Sequence, residues 1–120
     1  MASVLIVDDE SLIRWSIAES LAAEGFRVLE AASAREAVAC LDQRDDIGVV
    51  LLDLKLPDSN DLGLLRLLRQ RAPNWRIILM TAHGTSELLD EAINAGAFRA
   101  VGKPFDLTDM VGMVREAAAA

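Results

Sequence analysis

The side chains in this sequence that could do chemistry follow short apolar runs. They are three carboxylates, one hydroxyl and one ammonium: Asp8, Asp9, Asp53, Thr81 and Lys103. Clustered carboxylates repel one another and favour a hard cation with oxygen ligands, which beside phosphate is usually Mg2+. One carboxylate can then attack phosphorus, while the ammonium and the hydroxyl stabilise the transferring oxygens. This set of residues therefore indicates metal-assisted phosphoryl transfer.

Each of these side chains also has a structural explanation. Asp8 and Asp9 can cap the helix that follows them, and Thr81 and Lys103 can be a helix cap and a solvated charge. Asp53 is harder to explain alone, because a carboxylate at the end of an apolar run is costly without a partner. In a doubly wound sheet the carboxyl ends of neighbouring strands meet at one edge, where these side chains would share a site.

The apolar runs themselves predict the strands that position these residues. Continuous runs at residues 4–7, 49–52 and 77–80 are typical of strands buried on both faces of a parallel sheet. More polar runs at residues 26–31 and 98–102 predict strands at the sheet edges. All five would lie in one sheet.

The stretches between the predicted strands have helical spacing. End signals flank them, such as Gly25 after the first, a capping box at residues 33–36 before the second, and Asp106 as N-cap of the last. Strict alternation of strand and helix implies parallel strands joined by right-handed crossovers.

Composition and charge exclude several classes of function. The chain has 120 residues, which fits one domain, and a net charge of −7 from 12 basic and 19 acidic residues. That balance argues against direct nucleic-acid binding. No signal peptide is recognisable and no apolar run approaches the ~20 residues of a membrane span, so we expect a cytoplasmic protein. Cys40 is the single cysteine, which excludes an intramolecular disulfide.

Four motifs carry a family resemblance over essentially the whole chain. They are VLIVDDE at residues 4–10, LLDLKLP at 51–57, MTA at 80–82 and KPF at 103–105. In this order and spacing the chain resembles the receiver domains of bacterial two-component response regulators. The resemblance implies an α/β, flavodoxin-like, doubly wound five-stranded parallel sheet with strand order 2-1-3-4-5 and helices on both faces. A single receiver domain would occupy residues 1–120, with the output domain absent from this chain.

The resemblance also implies roles for individual residues. Asp53 would be the phosphoacceptor, Thr81 and Lys103 would contact the phosphoryl oxygens, and the Lys103–Pro104 bond would be cis. Mg2+ would be the cofactor. Its implied ligands are Asp8, mainly through a metal-bound water, Asp9, Asp53 and the main-chain carbonyl of Lys55.

The function implied is that of a phosphoacceptor signalling domain. A sensor histidine kinase would donate the phosphoryl group, and phosphorylation would change the α4-β5-α5 surface, formed by the helix around residues 88–93, the strand at 98–102 and the helix around 107–114. That surface would control an output domain or partner protein, and it could also form a homodimer. Such a domain is not an enzyme, since it promotes only its own phosphorylation and dephosphorylation.

A narrower likeness and two alternatives stay open. Residues 12–16, 80–84 and 95–98 are similar to receivers of nitrogen-regulator-type transcription activators. One alternative is a receiver-like adaptor that is never phosphorylated. The other is a Mg2+-dependent phosphatase acting through an aspartyl phosphate. The haloacid dehalogenase class uses such chemistry, but it has a second Asp at the position where Lys55 stands here.

The sequence departs from the family pattern near the site. Ala100 stands where many relatives have the aromatic ring that turns inward on activation, so we expect the surface to change through loop and helix movement. Asp61 stands near a usual Gly, so residue 60 or 61 is expected to take up a left-handed turn. His83 is interpreted as a loop residue near the site rather than a metal ligand. Trp15 is expected to pack at the flank of the core, with a dimer face as the alternative.

Overall fold

The computed structural model describes residues 3–43 and 46–120. The remaining four residues of the predicted domain lie outside the described part. Strands and helices alternate as predicted, in the order β1 Ser3–Val7, α1 Ser11–Ala23, β2 Arg27–Ala31, α2 Ala34–Gln43, β3 Ile47–Asp53, α3 Gly63–Arg71, β4 Arg76–Thr81, α4 Ser86–Asn94, β5 Arg99–Gly102 and α5 Leu107–Ala119.

The five strands form one parallel sheet in the order β2-β1-β3-β4-β5. The three continuous apolar runs are the central strands and the two more polar runs are the edges, as the sequence predicts. Register places Val7 beside Leu52, Asp53 beside Met80, and Thr81 beside Gly102. The candidate site residues therefore lie together at one edge of the sheet, at the carboxyl ends of its strands.

Two cores lie on opposite faces of the sheet, because successive side chains of a strand point to opposite sides. Val4 and Ile6 of β1 pack with residues of α1 and α5. Leu5 and Val7 pack with residues of α2, α3 and α4. Both faces are thus covered by helices, which explains why the central strands have no alternation of polar and apolar residues.

Local signals fix the helix ends. The carboxylate of Asp106 accepts hydrogen bonds from the main-chain N–H of Thr108 and Asp109 and caps α5, as predicted. Before α2, Ser33 Oγ accepts from the N–H of Glu36 at 3.2 Å, whereas the Glu36 carboxylate reaches back to the N–H of Ala32. The capping box is therefore present, with its return bond one residue earlier than usual.

The prediction of a left-handed turn at residue 60 or 61 is wrong. In the described part of the chain positive φ angles occur at Gly25 and Gly96, and at no residue with a side chain. The Asp61 carboxylate instead accepts a hydrogen bond from the N–H of Gly63 at 2.8 Å. A Cβ at Gly63 would lie 2.8 Å from that same oxygen, so the glycine serves this close contact rather than a strained backbone.

The two tryptophans differ. Trp75 is buried among the residues of the α2-α3-α4 core. Trp15 is 57% exposed, so the expectation that it packs at the flank of the core is wrong. It is two positions from Ile17, about 200° around the helix, and therefore faces solvent. None of the helices in the described part of the chain is long and apolar enough to cross a membrane.

Candidate functional site

Asp8 is the most deeply buried charged residue at the carboxyl ends of the strands, with an exposure of 0%. One carboxylate oxygen accepts the main-chain N–H of Glu10 at 2.9 Å, and the other accepts Nζ of Lys103 at 2.8 Å. The strand end places it there, because Asp8 directly follows β1 and its own N–H bonds to the carbonyl of Ala31 at the end of β2. Burial without a partner would be costly, so the lysine contact is what makes this position tolerable.

Asp53 ends β3 beside Asp8 and is 5% exposed. Burial and the neighbouring charge of Asp8 raise the pKa of Asp53 from 3.8 to about 6, although Lys103 and a main-chain hydrogen bond from Lys55 lower it. At pH 7 this carboxylate is still mostly an anion. It is therefore a nucleophile that needs no general base, and its negative charge is incompletely offset by the protein.

Lys103 is the cation among these carboxylates. Its Nζ lies 2.8 Å from Asp8, 3.4 Å from Asp53 and 3.7 Å from Glu10, measured to the nearest carboxylate oxygen. Burial lowers the pKa of Lys103, but the hydrogen bond to Asp8 and the charges of Asp53, Asp8 and Glu10 outweigh it, so the net direction is upward. The ammonium is charged and can neutralise oxygens that arrive beside Asp53. The Lys103–Pro104 bond that turns the chain here is cis, as predicted.

Thr81 ends β4 and is 3% exposed. Its Oγ1 accepts the main-chain N–H of His83 at 3.1 Å, and its carbonyl accepts the N–H of Lys103 at 2.6 Å. The residue therefore joins the β4–α4 loop to the end of β5. Asp8, Asp53, Thr81 and Lys103 together are called the acceptor edge below.

Three carboxylates approach closely enough to hold one metal ion. In the described ranges, a carboxylate oxygen from each of Asp8, Glu10 and Asp53 lies within 4.8 Å of the others. Three negative groups with one ammonium leave an excess of negative charge, and oxygen ligands are those that Mg2+ prefers. The residues therefore fit a hard divalent cation.

The carboxylate group in the structure lacks one predicted metal ligand and includes one residue that was not predicted. Asp9 is exposed and does not belong to this carboxylate group, so its role as a ligand stays a prediction. Glu10 belongs to the group, although we assigned it no role from the sequence. Its position directly after the acidic pair was the available signal. The hydrogen bond from its main-chain N–H to the Asp8 carboxylate holds it beside that residue, while its own side chain is 59% exposed.

The loop that carries Lys55 is fixed at several points. The N–H of Leu54 bonds to the carbonyl of Met80, and Leu56 and Ser59 exchange two main-chain hydrogen bonds around the turn between them. At the tip, the Asp58 carboxylate accepts the first two N–H groups of α2, from Ala34 at 2.8 Å and Arg35 at 3.0 Å. The backbone of this loop is therefore held on both sides of Lys55, whose side chain is exposed.

The region expected to transmit a change is built from small residues. Ala100 is half-buried beside Leu79, where the structure has no ring to turn inward. Instead, the backbone of the β4–α4 loop lies close to the end of β5: a Cβ at Gly84 would lie 2.9 Å from Cα of Gly102. His83 is exposed in the same loop, as interpreted from the sequence. We call the approach of Gly84 to Gly102 the glycine contact.

The structure is a doubly wound sheet in which a buried carboxylate, an ammonium and a hydroxyl meet at the carboxyl ends of the strands. This arrangement is the one expected of a protein that handles phosphoryl groups. Comparison with known proteins gives the family. Residues 4–115 match the response regulator receiver domain family. The chain belongs to this family, as its motifs predict.

Curated relatives include the DNA-binding transcriptional regulator NtrC of Salmonella typhimurium, 35% identical over 114 residues, and a putative NtrX-like response regulator of Rickettsia felis, 37% identical over 116 residues. Each match covers 95% of this chain and 24% of the relative. The chain thus spans about a quarter of the length of the curated relatives it matches.

Solved structures agree with this fold. A CheY-like response regulator receiver domain protein from Methanospirillum hungatei superposes with a TM-score of 0.91 at 30% identity, covering 99% of this chain and 94% of that one. The receiver domain of NtrX from Brucella abortus gives a TM-score of 0.90 at 30% identity, covering 98% of this chain and 99% of that one.

Proposed function

We propose that Asp53 is the phosphoacceptor of this receiver domain. A carboxylate oxygen of Asp53 attacks the phosphorus of a phosphorylated donor and forms a P–O bond. The bond from phosphorus to the donor breaks, and its electron pair leaves with the donor group. The observation that supports this most is the position of Asp53, 5% exposed and 3.4 Å from the Lys103 ammonium, with a pKa that leaves it ionised at neutral pH.

The other residues of the acceptor edge stabilise the transferred group. Lys103 can donate from Nζ to a phosphoryl oxygen without moving far from Asp53. Thr81 can turn its hydroxyl from the loop toward that oxygen, which would give up the hydrogen bond from His83. Both contacts strengthen as charge accumulates on the phosphoryl oxygens.

Mg2+ is the proposed cofactor. The predicted ligands are Asp8, through a water, together with Asp9, Asp53 and the main-chain carbonyl of Lys55, and Glu10 lies close enough to join them. When bound, Mg2+ would neutralise charge shared by the acceptor and the phosphoryl oxygens. The chain itself contributes the fixed carboxylates and the anchored loop around Lys55.

The phosphoryl donor and the target of this domain are inferred from its relatives. The similarity to NtrC and NtrX-like regulators supports a sensor histidine kinase as donor and a transcription-regulating output domain or partner protein as target. The domain would promote only its own phosphorylation and dephosphorylation, without turning over a metabolite. The α4-β5-α5 surface would carry the change, and it is also the proposed surface of a homodimer. Ile93 of α4 is an exposed apolar side chain on it.

The experiment is incubation of the chain with acetyl phosphate, with Mg2+ or with EDTA, followed by intact mass measurement. We expect a phosphate-sized gain that needs Mg2+ and is absent from Asp53→Asn. Asp61→Asn is the matched control, because that carboxylate is exposed and its contact to Gly63 is one an amide oxygen can keep. A gain that persists in Asp53→Asn, or no gain in any protein, would contradict the proposal.

A further inference from the structure

Arg14 of α1 contacts the acidic loop from outside the acceptor edge. Its Nη1 donates to the main-chain oxygen of Asp8 at 2.6 Å, and its Nε donates to the Glu30 carboxylate at 2.9 Å. Glu30 lies on the edge strand β2, where it stands between Leu29 and Ala31. The Arg14 side chain is only 19% exposed, and its guanidinium links the end of β1 to β2.

The peptide groups at Asp8 are fixed on both sides. The N–H of Asp8 bonds to the carbonyl of Ala31 at 3.0 Å, and its C=O accepts from Arg14. Both carboxylate oxygens also have donors, from Glu10 and Lys103. The oxygen that Arg14 holds belongs to the planar peptide joining Asp8 to Asp9, so its direction sets the direction in which the chain leaves Asp8.

Building on the function proposed above, we propose that Arg14, anchored by Glu30, is a positioning residue for the metal-binding loop. By holding the Asp8 carbonyl it fixes the orientation in which residues 8–10 present their oxygens to Mg2+. Arg14 touches neither the metal nor the phosphoryl group. It acts through the backbone of Asp8.

The choice of arginine fits this role. A guanidinium presents several N–H groups in one rigid plane, so it can bond Glu30 and the Asp8 carbonyl together in a defined geometry. A lysine ammonium keeps the charge but loses the planar fork. Arg14→Lys therefore separates geometry from charge.

If Arg14 positions the loop, its removal should weaken Mg2+ binding, whereas its charge alone predicts the opposite. Arg14 is positive, so its removal would strengthen binding of a cation if charge were all that mattered. Weaker Mg2+ binding after removal of Arg14 is thus a signature of lost loop geometry. A merely structural ion pair would not produce it.

The test measures Mg2+ affinity directly by calorimetry in the wild type and in Arg14→Lys, Arg14→Ala and Glu30→Gln, with folding checked by circular dichroism. We expect the two Arg14 variants to bind Mg2+ about tenfold more weakly, the size usual for groups that orient metal ligands. Glu30→Gln should show a smaller loss, because the anchor keeps its shape. Phosphoryl gain from acetyl phosphate should slow at low Mg2+ and recover at saturating Mg2+.

Arg27→Ala is the matched control. Arg27 lies on β2, the strand that carries Glu30, but it pairs with Asp46 at the opposite end of the sheet. Its Mg2+ affinity should equal that of the wild type. Unchanged or tighter binding in folded Arg14→Lys and Glu30→Gln would overturn the proposal even if Arg14→Ala does not fold. A wild type that binds no Mg2+ would instead overturn the proposed function, and this inference with it.

Discussion

The acceptor edge and the glycine contact lie side by side but are built from different kinds of interaction. At the acceptor edge, side chains far apart in sequence meet through charge, as Asp8 and Lys103 do across 95 positions. At the glycine contact, two backbone segments touch because Gly84 and Gly102, the residues that face each other, have no side chains. Thr81 joins the two regions through its hydrogen bond with the β4–α4 loop.

The difference teaches which part of the function depends on residue type. Phosphoryl acceptance requires particular charges at fixed distances, so few substitutions are tolerable there. In the proposed function, transmission would require only that one packed segment moves when Thr81 moves, which backbone contacts can provide. Ala100 in place of an aromatic residue is consistent with this second kind of relay.

The strongest test of the comparison is removal of the single ammonium at the acceptor edge. Lys103→Met leaves buried carboxylates without their cation, and we expect the free energy of unfolding at pH 7 without metal to fall by about 3 kcal/mol. Urea denaturation in EDTA measures this. Arg99→Met, which breaks the exposed pair with Glu116, should cost at most about 1 kcal/mol. Equal losses of stability in both variants would show that Lys103 stabilises the acceptor edge no more than an exposed ion pair does.

The raised pKa of Asp53 gives a pH-dependent test. Its folded pKa of about 6 lies above its ordinary 3.8, so the folded state binds more protons between these values and ionised Asp53 destabilises it at higher pH. Each pH unit between the two pKa values corresponds to about 1.4 kcal/mol, so Asp53→Asn should stabilise the metal-free protein by about 3 kcal/mol above pH 7. The gain should shrink as pH falls through 6 and vanish below about 4. Urea unfolding over this pH range in EDTA measures it, and a gain independent of pH would contradict the stated cause.

Filling the glycine contact tests the other region. A Cβ at Gly84 would meet the Gly102 backbone, so Gly84→Ala should cost about 1 kcal/mol of stability through overpacking. Phosphoryl gain should persist, while the change in hydrogen exchange of α4 on phosphorylation should be reduced.

Gly112→Ala is the control for this variant, because a Cβ there has no heavy atom within 4 Å and replaces a helical glycine. It should be neutral or stabilising and leave the α4 response intact. If α4 exchange does not change on phosphorylation of the wild type, transmission through this region is refuted.

The smallest effect is expected at Asp58, which caps α2 from the loop after Asp53. Its hydrogen bonds to the N–H groups of Ala34 and Arg35 lower the pKa of this exposed carboxyl below 3.8. The stabilisation is therefore present above pH 3.8 and disappears as pH falls through the folded pKa. Asp58→Ala should be slightly less stable than the wild type at pH 6, with the difference closing in acid. Thermal unfolding measures this, and Asp42→Ala near the other end of α2 should lose no comparable stability.

Most of the fold could be predicted from the sequence because burial leaves a direct pattern. Strands covered on both faces read as continuous apolar runs, and the more polar runs proved to be the sheet edges. Asp53, Thr81 and Lys103 could be placed for the same reason, since each stands at a strand end. These predictions needed only the apolar runs in the sequence and the rule that the carboxyl ends of neighbouring parallel strands lie at one edge of the sheet.

The rest depends on contacts that no local pattern encodes. Three contacts arise only once the sheet is assembled: the bond from Arg14 to the Asp8 carbonyl, the approach of the Glu10 carboxylate to those of Asp8 and Asp53, and the cap from Asp58. The predicted packing of Trp15 at the flank of the core is wrong because its angle around α1 puts it in solvent. The left-handed turn predicted at residue 60 or 61 is wrong because the Asp61 carboxylate accepts a hydrogen bond from the N–H of Gly63 and stabilises the turn in that way.

The most direct test of the central claim is chemical localisation of the phosphoryl group. After reaction with acetyl phosphate and Mg2+, the acyl phosphate is reduced with borohydride and the modified residue is found by peptide mass mapping. We expect the reduced residue at position 53 alone, and no modified peptide when EDTA replaces Mg2+. Modification at another carboxylate, or at a serine, threonine or histidine, would contradict the assignment of Asp53.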